Sequence, residues 1–286
     1  MSFDCVVLDF DGTLTDVSRE ALAFSAAFPE MMAELLGRDL GSIWAEARET
    51  VRARSPELGW VIEGHAVGPA DADPYVLASS TAHLVLDHFG VWTRDPDRRG
   101  EMITAVFHRA YQRTVAAFRP EAKRVIEALL ARVPSVHVVT NAAPEVAVRK
   151  LAELAPEGNP RLRVRGDARK FAIGPASSPD PRFARVPRER RLRGLDRPVL
   201  LTRGPYFDVL ASIWAESGAR PETTLVCGDI YELDLALPAE LGASVHLVRR
   251  ERTFAYELEA VDALGARGAV SDGVEALLER VEERRQ

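Results

Sequence analysis

The sequence predicts an α/β chain: a doubly wound, mostly parallel sheet with a helical domain inserted after its first strand. Short uninterrupted apolar runs recur along the chain, as in strands buried on both faces. Helical patterns alternate with them, which argues for crossover connections and a parallel sheet. The hundred or so residues after the first run show helical periodicity and no convincing strand.

The apolar runs are Cys5 to Leu8, Val136 to Val139, Leu225 to Cys227 and Val245 to Val248, the last followed by a basic pair. A further strand is expected from Arg161 to Arg165. Helical patterns between the runs cover Pro120 to Arg132, Pro144 to Leu154 and Leu233 to Leu241. In the insertion, 18–36, 41–53, 75–88 and 99–117 read as helices, with a Gly/Pro/Asp-rich break around Gly64 to Pro74. This predicts a core of 1–16 and 119–286 and an inserted helical domain over 17–118. Residues 174–198, rich in Pro, Ser and Arg, read as a loop.

The chain has 286 residues, 47% hydrophobic and 28% charged, the balance of a folded protein rather than a disordered one. Its net charge of −6 disfavours nucleic acid or an anionic membrane as a general partner. The span 161–203 runs the other way, with twelve arginines and one lysine against four acids. That stretch reads as a solvated arginine-rich surface, or as a field that steers anionic substrates. Cys5 and Cys227 lie in apolar runs and read as buried free thiols, with no disulfide framework or zinc site. The first residues do not resemble a signal peptide and no stretch is long enough to span a bilayer, so a cytoplasmic location is expected. Oligomeric state is not readable.

Chemistry is expected where the strands end, because open parallel sheets bind ligands beyond the carboxyl ends of their strands. Three runs end in Asp9, in Thr140-Asn141 and in Gly228-Asp229. The sharpest signal is Asp9-Phe10-Asp11-Gly12-Thr13. Two carboxylates two residues apart, with a glycine allowing a tight turn, place both near one reacting centre. One can attack phosphorus as a nucleophile, and the other can protonate the leaving oxygen and then activate water. A plain Asp/Gly-rich turn is the competing reading.

This segment resembles motif I of the haloacid dehalogenase (HAD) superfamily, and the other motifs follow in that superfamily's order. Val138-Val139-Thr140-Asn141 resembles motif II, and Gly228-Asp229-Ile230-Tyr231-Glu232-Leu233-Asp234 resembles the GDxxxxD form of motif IV. Phe118-Arg119-Pro120-Glu121-Ala122 resembles the re-entry into the core after a type-one cap. The resemblance implies a Rossmann-like core, a type-one helical cap and a magnesium-dependent phosphatase acting on a small phosphorylated metabolite. It implies Asp9 as nucleophile, Asp11 as acid and base, and Thr140 and the Asn141 amide as holders of the phosphoryl group. Gly12 and Thr13 would lie against the substrate. Mg2+ would be held by Asp9, Asp229 and the carbonyl of Asp11, with Gly228 and Asp234 in support. Glu232 is expected to be solvated or to stand behind the ligands.

The superfamily also has a lysine, usually followed by proline, before the helix leading to motif IV. This chain has Arg203-Gly204-Pro205-Tyr206 there and only three lysines, Lys123, Lys150 and Lys170. Lys123 lies on the helix before motif II. Lys150 is about nine residues past Asn141, roughly 13 Å of helical rise, and is expected to point elsewhere. Lys170, close after a strand end, is the choice for the role, with Arg203 as the alternative cation for phosphate. His137 and His246, alternating with aliphatic residues, read as structural. An acid at Asp11 argues against a dehalogenase, and a cap without lysine argues against a phosphonatase. A phosphomutase, or a non-catalytic phosphate-binding protein on the same scaffold, remains the alternative reading.

Overall fold

A computed structural model describes residues 2–157 and 159–284. It contains ten strands: β1 Cys5–Leu8, β2 Trp60–Ile62, β3 His65–Gly68, β4 Ser135–Val139, β5 Leu162–Arg165, β6 Glu189–Arg190, β7 Val199–Leu200, β8 Thr224–Gly228, β9 Ser244–Val248 and β10 Gly268–Ser271. Six of them form one sheet in the order β10-β9-β8-β1-β4-β5. Every pairing in that sheet is parallel. The doubly wound parallel sheet is therefore as the apolar runs predict.

β1 lies at the centre, fully buried, with Leu8 in register with Val138 on one side and Cys227 on the other. The strands that lead to Asp9, Thr140 and Asp229 are thus immediate neighbours, which follows from strand order alone. Alternation along β1 sends Cys5 and Val7 to one face and Val6 and Leu8 to the other. The first face packs on the helices Gly204–Ser217, Ala236–Glu240 and Ala255–Asp262 through Phe207, Leu210 and Val261. The second packs on Ala122–Arg132 and Ala276–Glu283 through Val125, Leu129 and Leu277. Sheet and helices bury their apolar sides only in such layers.

The chain divides into two compact units. One comprises Met1–Thr15, Ile62–Gly68 and Phe118–Gln286; the other comprises Asp16–Val61 and Pro69–Ala117. The second unit is helical, with helices Val17–Glu20, Leu22–Leu36, Gly41–Arg54, Pro74–His88 and Pro96–Tyr111. Three of them start where an aspartate side chain caps the first turn: Asp16, Asp73 and Asp95. Asp73 and Asp95 each precede a proline, whose fixed φ suits the first helical position. The core of this unit is aromatic, with Phe24 set against Phe28, Tyr75 and Phe107 at 4.8–5.2 Å between ring centroids.

The expected insertion boundaries need one correction. Residues 62–68 belong with the core unit, and β2 and β3 pair in a hairpin where no strand is expected. Glu63 and Gly64 join them with φ of 49° and 80°. Two successive positive φ values suit a tight hairpin turn of the type that matches strand twist. Runs of three and four residues are too short for their alternation to stand out from the helical background. Residues 174–198 are also more ordered than a plain loop, with a 3₁₀ turn at Phe183–Arg185 and β6 paired antiparallel to β7.

Cys5 and Cys227 are free and buried. Burial pushes the Cys5 thiol up to about 12 and the Cys227 thiol well above its ordinary value, as inert core residues. Among the described residues no helix is long and apolar enough to cross a membrane.

His137 and His246 are buried in β4 and β9, and each ring Nε2 meets a serine hydroxyl, Ser135 at 2.8 Å and Ser271 at 2.6 Å. Burial holds both imidazoles down to about 4, with Arg165 beside His137 and Arg280 beside His246 adding to the effect. An unfolded chain protonates them near 6.5, so between that pH and about 4 the unfolded state binds more protons. Stability contributed by these rings is therefore present above that window and is lost as pH falls through it. We expect urea midpoints of the wild type to fall more steeply from pH 7 to pH 4.5 than those of a His137→Gln, His246→Gln variant. Parallel pH profiles contradict this assignment.

Candidate active site

Asp9 continues β1 past its last sheet residue and is 8% exposed. Its two carboxylate oxygens have separate partners. Lys170 Nζ donates to Oδ1 at 2.6 Å and Thr13 Oγ1 donates to Oδ2 at 2.9 Å. Burial pushes the Asp9 carboxyl up to about 7 against the pull of Lys170, and Asp234 and Asp11 add to the rise. Thr13 is fully buried and grips the carboxylate from below. It does not face outward to a substrate, as its place in the motif suggests.

Gly12 is required twice over. Its φ is +86°, and a Cβ there would lie 2.4 Å from Asp229 Oδ2. The turn after Asp9 thus leaves a gap that the Asp229 carboxylate fills. Gly228, at the end of β8, leaves a similar gap for Asp234, whose Cβ would be 2.3 Å from an added methyl. Oxygen atoms of Asp9, Asp229 and Asp234 lie within 4.8 Å of one another, and all three residues are buried.

Residues Tyr231–Leu235 form a single π-helical turn, a form often found at functional sites. Asp234 closes this turn, its Oδ2 accepting from the Ile230 amide at 3.0 Å and its Oδ1 from Lys170 Nζ at 2.8 Å. Of the two readings of Glu232, solvated or standing behind the ligands, burial excludes the first. Glu232 is fully buried and held by both Arg197 guanidinium nitrogens at 2.7 Å and by the Tyr256 hydroxyl at 2.6 Å.

Lys170 lies on a loop that is conformationally costly. Asp167 and Arg169 both adopt positive φ, 49° and 46°, which non-glycine residues resist. The Asn141 side chain steadies this loop by accepting from the Lys170 amide at 2.8 Å. Burial would lower the Lys170 ammonium, but Asp234 and Asp9 outweigh it and hold the group above its ordinary value, fully charged.

Arg203 stands apart from the carboxylates, and its sequence reading as a phosphate ligand is corrected. It is fully buried, and its donors go to the carbonyls of Lys170 at 2.6 Å, Val67 at 2.7 Å and Leu200 at 3.0 Å. A buried guanidinium that binds three backbone carbonyls is a fastener for the Lys170 loop.

Asp11 is the most accessible acid of the group, its side chain 27% exposed. Thr140 Oγ1 donates to its Oδ2 at 3.3 Å, and Lys150 Nζ stands 3.4 Å from its Oδ1. The position of Lys150 overturns the expectation that it points elsewhere. Rise along the helix Pro144–Leu154 measures only the backbone, whereas helical side chains lean towards the N-terminus. A lysine can span the remaining distance.

Three further residues escape sequence reasoning. Arg119 donates to the Gly12 carbonyl at 2.9 Å. Arg250 donates to the Asp229 carbonyl and pairs with the fully buried Glu257 at 2.7 Å. Glu257 in turn accepts from the Tyr231 amide at 3.1 Å. The signal for Arg250 was its place directly after a buried strand.

Three carboxylates gathered around one ammonium form a set of hard oxygen donors that suits one divalent cation. Carboxylates such as Asp9 and Asp11 are groups that can act as nucleophile or as acid and base.

Comparison with known proteins bears on the fold and the family. No curated protein matches in sequence. Solved structures match over nearly the whole chain at low identity and so share the fold. YfnB of Bacillus subtilis, assigned as a HAD-hydrolase and solved bound to magnesium, is 12% identical over 99% of this chain and 100% of its own, with a TM-score of 0.55. A predicted phosphoglycolate phosphatase from Haemophilus somnus is 14% identical over 100% and 99%, with a TM-score of 0.54. A Thermotoga maritima protein assigned as a beta-phosphoglucomutase is 13% identical over 98% and 99%, also with a TM-score of 0.54. A sequence profile of haloacid dehalogenase-like hydrolases matches residues 3–242, and the chain belongs to that family.

Proposed function

We propose that the chain is a magnesium-dependent phosphatase that hydrolyses a small phosphorylated metabolite through an aspartyl-phosphate on Asp9. The observation that carries this reading is Asp11. Its carboxylate stands at the open side of the buried cluster, held by Thr140 and Lys150. Departure of halide needs no proton, whereas departure of an alkoxide does, so an acid held at this point favours phosphate esters over haloacids.

The donor set fits Mg2+, which takes oxygen ligands from one or two carboxylates and shares the rest with substrate and water. Asp9 and Asp229, with the Asp11 carbonyl, would hold it. When bound it supplies positive charge beside the transferring phosphoryl group. Asp234 lies in the same cluster, but its oxygens already serve Lys170 and the Ile230 amide, and it supports the site in that way.

Asp9 attacks phosphorus, forming an O–P bond while the ester P–O bond breaks. The electron pair leaves with the ester oxygen, which takes the proton from Asp11. Water then attacks the phosphorus of phospho-Asp9, Asp11 accepts its proton, and the bond to Asp9 breaks to give inorganic phosphate. The Lys170 ammonium, 2.6 Å from Asp9, offsets the anionic charge throughout. The Asn141 amide, at the end of β4, would hold a phosphoryl oxygen, whereas the single O–H of Thr140 goes to Asp11. A small soluble substrate is the expected partner, and neither nucleic acid nor a membrane is invoked.

Two variants test the mechanism. Asp9→Asn should abolish turnover of p-nitrophenyl phosphate and any acid-stable trace of phosphoenzyme; substantial residual turnover defeats the covalent route. Asp11→Asn should lower kcat/KM, which reports the first step alone, by roughly 10²–10⁴-fold for alkyl phosphates and far less for activated aryl phosphates. Equal loss of kcat/KM across leaving groups removes the acid role.

A further inference from the structure

We propose that Lys150 is a positioning residue that fixes Asp11 for proton delivery and so fits the site to phosphate esters with poor, alkoxide leaving groups. This rests on the phosphatase reading and assigns it a residue outside the family motifs quoted above.

Lys150 is only 5% exposed, on the inner side of its helix, and its ammonium stands 3.4 Å from Asp11 Oδ1 and 5.6 Å from the centre of the Phe10 ring. Burying an ammonium costs several kcal/mol unless it is well paired, so a surface lysine would not settle here by default. Thr140 holds the other Asp11 oxygen at 3.3 Å and itself accepts from the Ala142 amide at 3.0 Å. The Asp11 carboxylate is therefore gripped at both oxygens, by the strand end and by the helix that follows it. Each of two lysines serves one acid of the motif: Lys170 serves Asp9, and Lys150 serves Asp11.

Proton transfer needs the acid oxygen within about 2.6–3.2 Å of the leaving oxygen. An Asp11 released from one grip turns about its side chain and loses that reach, and a misplacement of about 1 Å costs on the order of 10²-fold. In the first step the loss applies only where protonation of the leaving oxygen matters. When an alkyl ester P–O bond breaks, its electron pair must collect the Asp11 proton, whereas dinitrophenolate leaves as the anion.

The test compares Lys150→Met with wild type on glycerol phosphate and on 2,4-dinitrophenyl phosphate, with crystal structures of both proteins. The expected result is a fall in kcat/KM, which reports the first step alone, of roughly 10- to 100-fold for the alkyl ester, near-wild-type kcat/KM for the aryl ester, a second step slowed alike for both, and partial rescue by Lys150→Arg. In the variant crystal the Asp11 carboxylate should leave Thr140. Equal loss of kcat/KM on both esters, or an unmoved Asp11, overturns the proposal. A wild type silent on every ester overturns the phosphatase reading instead, and an Asp11 that still swings away in the variant then upholds the positioning role.

Discussion

Lys170 Nζ lies between Asp9 at 2.6 Å and Asp234 at 2.8 Å, 1% exposed, with Asp229 in the same small volume. Like charges buried this closely repel strongly, and one ammonium compensates only part of that. Much of the surrounding structure holds this arrangement in place. Thr13 steadies Asp9, the π-helical turn closes on Asp234, and Gly12 and Gly228 omit the side chains that would push the acids apart. Arg203 and Asn141 hold the backbone of the lysine itself. This gathering of hard oxygen donors is what suits the site to a divalent cation.

The arginines show how the chain holds the loops of a polar centre. Arg119, Arg203 and Arg250 each spend donors on backbone carbonyls of site loops, at Gly12, Lys170 and Asp229. Arg197 pairs with Glu232 inside the motif IV turn. Planar guanidinium groups with several fixed donors suit this work better than lysine does. Some arginines of the basic stretch 161–203 are thus internal fasteners, and others pair with acids, as Arg165 does with Glu216. Its excess charge overstates the field available to steer a ligand.

What was legible in the sequence follows from distance along the chain. Asp9, Thr140 and Asp229 each follow directly on a buried strand, and parallel pairing of neighbouring strands then brings them together without any knowledge of side-chain packing. Lys170 was reachable by the same reasoning, since it follows β5 closely. Lys150 was not, because the decisive quantity is the direction of a long side chain rather than backbone rise. Arg203 was misread because its charge suggests phosphate, whereas full burial beneath three carbonyls depends on tertiary packing. The hairpin at 60–68 hid in strands too short for periodicity, although Glu63-Gly64 marked its turn.

The central claim is that the carboxylates of Asp9 and Asp229 take up one divalent cation. Calorimetric titration of magnesium chloride into metal-free protein tests it most directly. The account predicts saturable binding at a single site in the wild type and its loss in Asp229→Asn. Absence of binding in the wild type, or equal binding in the variant, contradicts it.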